Sequence, residues 1–306
     1  MPASVTELVI AVFGPTASGK SDVAEAIADR VPATLISADA MQVYRGLPLL
    51  TNQSDRPTEL VGIWDLDHEA SVGEYAELAH EAVDRALEAD VTPIVVGGTG
   101  LYLRAALVEL DLPPAPEPSV RARWEAEHAR LGAEAAHELL ADRDPAAAAR
   151  LHPNDRRRVV RALELADSGA SLVPRVGRLW SEETRHPTLI VGLQVPKDVL
   201  EGRIRERTQR MFASGVVDEA HRALGGPISS TARTTFGLRE IGELSEDEAK
   251  ETIVQRTTRY ASYQRKWMRR VPGLVSVTAD RPAGEVADEI LEMARTRQRL
   301  PPGPAG

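Results

Sequence analysis

The chain has 306 residues, is 42 % hydrophobic and 27 % charged, carries a net charge of −9 and contains no cysteine. That size allows one large domain or two around a substantial core, and the missing cysteines exclude disulfides and thiolate metal sites. No apolar run approaches the ~18 residues of a membrane-spanning helix, and "MPASVTELVIAVFG" has no basic flank ahead of its apolar run, so neither a membrane partner nor a secretion signal is expected and the cytoplasm is the expected compartment.

Leu8–Phe13 is a short β-rich run that stops at a glycine. The segment that follows, "GPTASGKS", fits G-x-x-x-x-G-K-S/T, the loop whose backbone amides cradle phosphates. Its residues are Gly14, Pro15, Thr16, Ala17, Ser18, Gly19, Lys20 and Ser21. Lys20 is placed to pair with phosphate oxygens and Ser21 to ligate Mg²⁺. Apolar residues at Val23, Ala24, Ile27 and Val31 then have helical spacing. "ATLISAD" reads as a second strand ending in Asp39, Gly73–Ala89 as an amphipathic helix, and "TPIVVGG" as a third strand ahead of Thr99. This alternation predicts an α/β fold, a P-loop-type parallel sheet flanked by helices. Ligands gather at the carboxyl ends of such strands, where the loop, Asp39 and Thr99 would all lie.

A proline-rich break, Leu110–Pro118, precedes a helical stretch over about 119–168 without a strand. "TLIVGLQV", Thr188–Val195, returns to strand pattern, and helices are expected at Val199–Ala213, Val216–Ala223 and from Glu246 to about Arg269. The expected organisation is a catalytic core of residues 1–113 and 186–298, an all-helical insertion lobe of residues 114–185, and a disordered tail, 299–306. His128, His137 and His152 form no metal pattern and read as surface or capping residues; "HELLA" lacks the second histidine of a zinc helix.

The acidic net charge argues against a polyanion partner, but its distribution argues the other way. "RRRVVR", Arg156–Arg161, carries four arginines, "RIRERTQR", Arg203–Arg210, carries four, and Arg256–Arg270 carries six basic residues and no acid. Asp39 has three readings: a partner for Mg²⁺ as in small kinases, a general base facing the ligand, or a turn and capping residue. The loop alone leaves open a nucleotide or small-molecule kinase, a transferase that uses a diphosphate ester, and a non-catalytic RNA-binding protein.

The stretches "GPTASGKS", "ISADAMQVYRG", "PIVVGGTGLYL", "LHPNDRRRVVRALEL", "RIRERTQRMFASGVVDE" and "TTRYASYQRKWMRR" occur in that order from Gly14 to Arg270. Together they resemble the bacterial tRNA dimethylallyltransferases, also called tRNA isopentenyltransferases. The resemblance implies transfer of a dimethylallyl group from dimethylallyl diphosphate to N6 of the adenosine next to the anticodon, in tRNAs reading codons that begin with U. It implies Mg²⁺, a cytoplasmic monomer, and the tRNA anticodon stem-loop as partner. It makes Asp39 the base that takes the N6 proton and Thr99 a channel residue near the reacting centre. Lys20, Arg207 and the loop would grip the diphosphate. It places tRNA contacts at Asp39, Ala40, Met41 and Gln42, at Thr99, at Arg121, at Arg157, Arg158, Val159, Val160 and Arg161, and at Thr234, Gly237 and Arg239. Ala40 stands where the family usually has serine, and "GLRE" at Gly237–Glu240 where it usually has "GYKE". Relatives that prenylate free AMP or ADP share the loop and remain the alternative, without an expectation of the long "HPNDRRRVVRALE" insertion.

Overall fold

The computed structural model describes residues 8–113, 117–173 and 178–299. The tail expected to be disordered lies outside the described residues, apart from the backbone of Arg299. In chain order the elements are β1 (Val9–Phe13), α1 (Lys20–Ala28), β2 (Ala33–Ser37), α2 (Pro48–Thr51), α3 (Val72–Glu88), β3 (Thr92–Gly97), α4 (Gly100–Leu107), α5 (Pro118–Leu131), α6 (Ala133–Arg143), α7 (Pro145–Ala148), α8 (Arg156–Asp167), β4 (Thr188–Gln194), α9 (Lys197–Ala213), α10 (Val216–Leu224), α11 (Leu238–Glu243), α12 (Glu246–Met268), β5 (Val275–Thr278) and α13 (Ala283–Arg299).

Five parallel strands lie in the order β2-β3-β1-β4-β5. β1 is central and all five of its residues, VIAVF, are buried, as the uninterrupted apolar run of an inner parallel strand requires. Phe13 pairs with Gly97 on one side, so β1 and β3 end level, and with Gly192 on the other, beyond which β4 runs two residues further. The chain leaves β1 toward β2 and leaves β3 toward β4, on opposite sides of the sheet's middle. Adjacent strands whose connections part in this way open a crevice at their carboxyl ends.

One face of the sheet is covered by α1 and α13. Val23, Ala24 and Ile27 of α1 and Val286, Ile290, Leu291 and Ala294 of α13 pack on Ile10, Val12, Leu35, Ile94 and Val191. The periodicity of α1 foretold its buried stripe. β5 and α13 were not expected from the sequence. β5 is four residues long and only Val277 is buried, so it carries little apolar signal. α12 begins with the capping box of Ser245 and Glu248, Ser245 N donating to Glu248 Oε2 at 3.1 Å. Acids fill its first turn and Arg265 and Lys266 its last, the polarity that the helix dipole favours.

The chain divides into two compact units, residues 1–109 with 179–306, and residues 110–178. The second unit is all helical and has its own core of Trp124, Ala136, Leu140, Ala147, Val159, Val160 and Leu163. Asp144 and Asp155 cap the starts of α7 and α8 by accepting from Ala147 N and Arg158 N. Asp167 accepts from the Trp124 indole at 2.8 Å and from Arg143 at 2.6 Å, tying α5, α6 and α8 together. His128 is buried in this unit rather than at the surface, while His137 bridges the Ala148 and Leu151 carbonyls. The helical unit ends at Arg178, earlier than the expected residue 185. The next residues are already fastened to the sheet unit: the fully buried Arg104 donates to the carbonyls of Leu179 and Ser181, and the Trp180 ring packs tilted against Trp267 with centroids 4.9 Å apart.

Candidate active site

The phosphate loop sits between β1 and α1, as its spacing predicts. Gly19 adopts φ +84° and Ala17 φ +63°, which turns consecutive amides inward as an anion nest. The first turn of α1 adds N–H groups with no intrahelical acceptor and the positive end of the helix dipole. Ser18 Oγ is buried without a hydrogen-bond partner among the described residues, a polar atom left over inside the loop.

Three charged groups converge here. Lys20 Nζ donates to Pro15 O at 2.8 Å. Burial pushes the Lys20 ammonium down to about 8; Asp39 pulls the other way and Arg207 adds to the lowering. Arg207, on α9, donates to Thr16 Oγ1 at 3.1 Å, and its burial likewise disfavours its charge, against the pull of Asp39. Two half-desolvated cations facing one carboxylate leave a net positive pocket, which an anion would relieve.

Asp39 follows β2 and Oδ1 accepts from Met41 N at 2.9 Å, so the carboxylate also organises its own turn. Thr99, at the start of α4, accepts from Ala40 N at 3.3 Å and lies 3.4 Å from the Tyr260 hydroxyl. Gln42 is held by the carbonyls of Thr51 and Asn52 and by Ser37 Oγ. The expected loop, Asp39, Thr99 and Arg207 are thus brought to one sheet edge.

The connection that sequence reasoning missed runs through α12. Gln264 accepts from Thr16 N at 2.8 Å and donates to Gly98 O at 2.8 Å, joining the phosphate loop to the end of β3. Gly98 leaves room for Gln264: a Cβ there would press on Gln264 Nε2, which would have to shift from its hydrogen bonds. Tyr260, one turn earlier, packs edge-on to Phe236 with centroids 5.0 Å apart. Tyr260 and Gln264 share a helix face, but nothing local indicates that this face meets a loop 248 residues away.

The cavity of about 490 Å³ is lined by the loop, Lys20, Asp39 and Arg207, by the apolar Leu50, Ile204, Met211, Phe236 and Ile253, and by further charged residues, Arg203, Glu206, Arg210 and Arg281. The apolar wall is itself braced. Buried Glu219 accepts from the amides of Leu49 and Leu50 at 3.0 and 2.8 Å, fixing α2. Arg256 lies over the Phe236 ring and pairs with buried Glu240. The chamber therefore brings cationic and apolar side chains together around an anion site.

The remaining expected contacts separate into groups. Arg121 and Arg161 both pair with Glu164, at 2.8 and 3.0 Å, and the Glu164 side chain is 2 % exposed. Arg157 is exposed and Arg158 lies 3.6 Å from Asp155. Val159 and Val160 are corrected: both are buried in the helical unit's core, so their side chains face inward and cannot touch RNA. Thr234 and Arg239 are exposed, with Arg239 paired to Glu243 at 2.9 Å. Gly237 is buried at φ +99°, and a Cβ there would press on Leu50. Among the described residues no cluster of three His, Cys, Asp or Glu could hold a metal by itself. A hydroxyl at Ser21 with a carboxylate at Asp39 is a hard oxygen set that fits Mg²⁺ only when substrate phosphates complete the shell.

A parallel sheet with a phosphate loop at its carboxyl edge, opening on a half-apolar chamber, defines a P-loop-type α/β protein with an anion site. The family profile of the IPP transferases matches residues 42–271. The chain is 41 % identical over 293 residues to the tRNA dimethylallyltransferase of Thermobifida fusca, covering 90 % of this chain and 91 % of that one. It is 40 % identical over 283 residues to the tRNA dimethylallyltransferase of Kineococcus radiotolerans, covering 86 % and 88 %. It belongs to the IPP transferase family. The full-length tRNA isopentenylpyrophosphate transferase of Bacillus halodurans superposes with a TM-score of 0.68 at 29 % identity, covering 96 % of this chain and 99 % of that one. A eukaryotic dimethylallyltransferase acting on tRNA shares the fold, with a TM-score of 0.72 at 20 % identity over 98 % and 82 % of the two chains.

Proposed function

We propose that the protein transfers the dimethylallyl group of dimethylallyl diphosphate to N6 of the adenosine next to the anticodon in tRNA. The observation that carries this reading is the chamber that joins the cationic phosphate loop to an apolar wall, with Asp39 and Thr99 beside it. A nucleotide kinase has no use for Leu50, Met211, Phe236 and Ile253 around its transferred phosphate. A dimethylallyl tail does.

Lys20, Arg207 and the loop amides hold the diphosphate. The allylic C–O bond breaks, the electron pair leaves with the diphosphate, and N6 forms the new C–N bond. Asp39 takes the N6 proton, as a carboxylate within reach of the nucleophile. Charge grows on the leaving group, so cations preorganised around it are the main source of acceleration. Mg²⁺, held by Ser21 and the substrate, would neutralise part of that charge. Arg121, Arg157, Arg158 and Arg161, with Thr234, Arg239 and the turn Asp39–Gln42, are the proposed RNA contacts. Among the described residues no helix is long and apolar enough to cross a membrane, and a cytoplasmic monomer is the proposed form.

The test uses labelled dimethylallyl diphosphate and Mg²⁺ with unmodified anticodon stem-loop RNA, and in parallel AMP and ADP. Label in the RNA alone supports the reading. Label in the nucleotides alone assigns the protein to free-nucleotide prenylation, and ATP turnover without label assigns it to a kinase class.

A further inference from the structure

Glu219 lies on α10 and is not among the residues that line the cavity, yet it is buried, 3 % exposed, and both its oxygens are engaged. Oε2 accepts from Leu49 N at 3.0 Å and Oε1 from Leu50 N at 2.8 Å. Among the described residues no Lys, Arg or His pairs with it. A buried carboxyl group is tolerated only while hydrogen bonds satisfy it, so these two amides cannot leave without stranding it. The helix that supplies them needs the help. α2 has four residues, a single turn, which is too short to repay the cost of starting a helix. Its Leu49 and Leu50 amides are among those that have no acceptor inside a helix.

The other end of α2 holds the acceptor side of the chamber. The Thr51 and Asn52 carbonyls both accept from Gln42 Nε2 at 3.1 Å, and Gln42 Oε1 accepts from Ser37 Oγ at 2.9 Å. Gln42 closes the turn that begins at Asp39, whose Oδ1 accepts from Met41 N. Glu219 is thus joined through one helical turn to the turn that carries Asp39. We infer that Glu219 is a positioning residue: it fixes α2, and α2 fixes the turn Asp39–Gln42 against the acceptor base. The role of that turn rests on the prenyl-transfer reading. Lys20, Arg207 and the phosphate loop take no part in this series of bonds, so loss of Glu219 should weaken use of the acceptor and spare the diphosphate.

The experiment compares the unaltered protein with Glu219→Gln, Glu219→Ala, Gln42→Ala and the double variant Glu219→Ala with Gln42→Ala. It measures kcat/KM for stem-loop RNA with labelled dimethylallyl diphosphate, and the Kd of inorganic diphosphate with Mg²⁺ by calorimetry. Glu219→Ala should lower kcat/KM for RNA about tenfold, and Glu219→Gln, which keeps the shape and one acceptor, about threefold. The Kd of diphosphate should stay within about twofold, a split that general loss of folding would not produce. Because Glu219 acts through Gln42, the double variant should be no worse than the poorer single variant. Losses that multiply overturn the inference, as does a diphosphate Kd that weakens in step with RNA turnover. If Glu219→Ala does not fold, an unchanged kcat/KM in Glu219→Gln overturns it as well. Amide hydrogen exchange without substrate tests the positioning separately from the reaction. In Glu219→Gln the amides of Met41 and Gly62, which bond to Asp39 and to the Gln42 carbonyl, should exchange faster while those of β4 do not. Unchanged exchange at Met41 and Gly62 overturns the inference. An unaltered protein that labels no RNA overturns the prenyl-transfer reading, and the exchange result then decides the positioning by itself.

Discussion

Lys20 offers a quantitative test of the phosphate site. Its ammonium is held at about 8 against an ordinary 10.5, burial being the largest cause. A diphosphate beside it supplies the missing counter-charge and returns the pKa toward its ordinary value. At pH 8 about half of the unliganded molecules carry a neutral Lys20, and at pH 7 about one in ten. Binding of dimethylallyl diphosphate should therefore take up about 0.5 proton at pH 8 and about 0.1 at pH 7. Calorimetric titration in two buffers of different ionisation enthalpy reads this number directly. Lys20→Met, which keeps the stem and deletes the charge, should abolish the uptake and weaken binding.

The same shift has a stability consequence. The folded-state value lies below the unfolded one, so between about 8 and 10.5 the unfolded chain binds more protons, and stability rises with pH across that window. The full effect is about 3 kcal/mol, read as the difference between the unaltered protein and Lys20→Met. Below pH 8 both states are protonated and the slope vanishes. Uptake near zero at pH 8, or uptake that survives in Lys20→Met, would refute the argument that an uncompensated buried ammonium defines this site.

The other perturbations test separate parts of the molecule. Arg157→Ala should lower the slope of log K against log salt for stem-loop binding by about 0.7–0.9, since Arg157 is exposed and has no ion pair among the described residues; an unchanged slope removes α8 from the RNA interface. Glu164→Ala strips the shared carboxylate from Arg121 and Arg161 and should cost roughly 2 kcal/mol in thermal unfolding. Gly98→Ala places a Cβ against Gln264 Nε2 and forces that side chain to shift, should cost roughly 2 kcal/mol, and should raise KM for dimethylallyl diphosphate by freeing Thr16.

Most of the sheet could be read from the chain because inner parallel strands are continuous apolar runs and α1 and α3 keep their stripes toward the core. β5 escaped because an edge strand of four residues with one buried side chain has no period to detect. The phosphate loop was legible because its chemistry depends on local spacing alone. Asp39 and Thr99 were legible because strand ends in such a sheet share an edge. Val159 and Val160 were misplaced because a motif inherited as a contiguous segment folds as a helix, and a helix alternates faces: arginines outward, valines into the core. Gln264 and Glu219 act on backbone amides or carbonyls across the fold, contacts that residue type and spacing do not encode.

In the proposed reaction, those long-range contacts would align the two substrates. Gln264 fixes the amide of Thr16 in the phosphate loop, and Tyr260 reaches the Thr99 side of the chamber. The two residues are four apart on α12, so their spacing along the axis is one helical turn, about 6 Å. Displacement at carbon tolerates little error in the distance between nucleophile and leaving group, and a rigid element holds such geometry better than a loop. A single turn of α12 touches both half-sites, and the capping box and charge polarity at its ends stiffen the helix that carries it. One helix, whose sequence read alone shows only a basic surface, thereby contacts both the phosphate loop and the Thr99 side of the chamber.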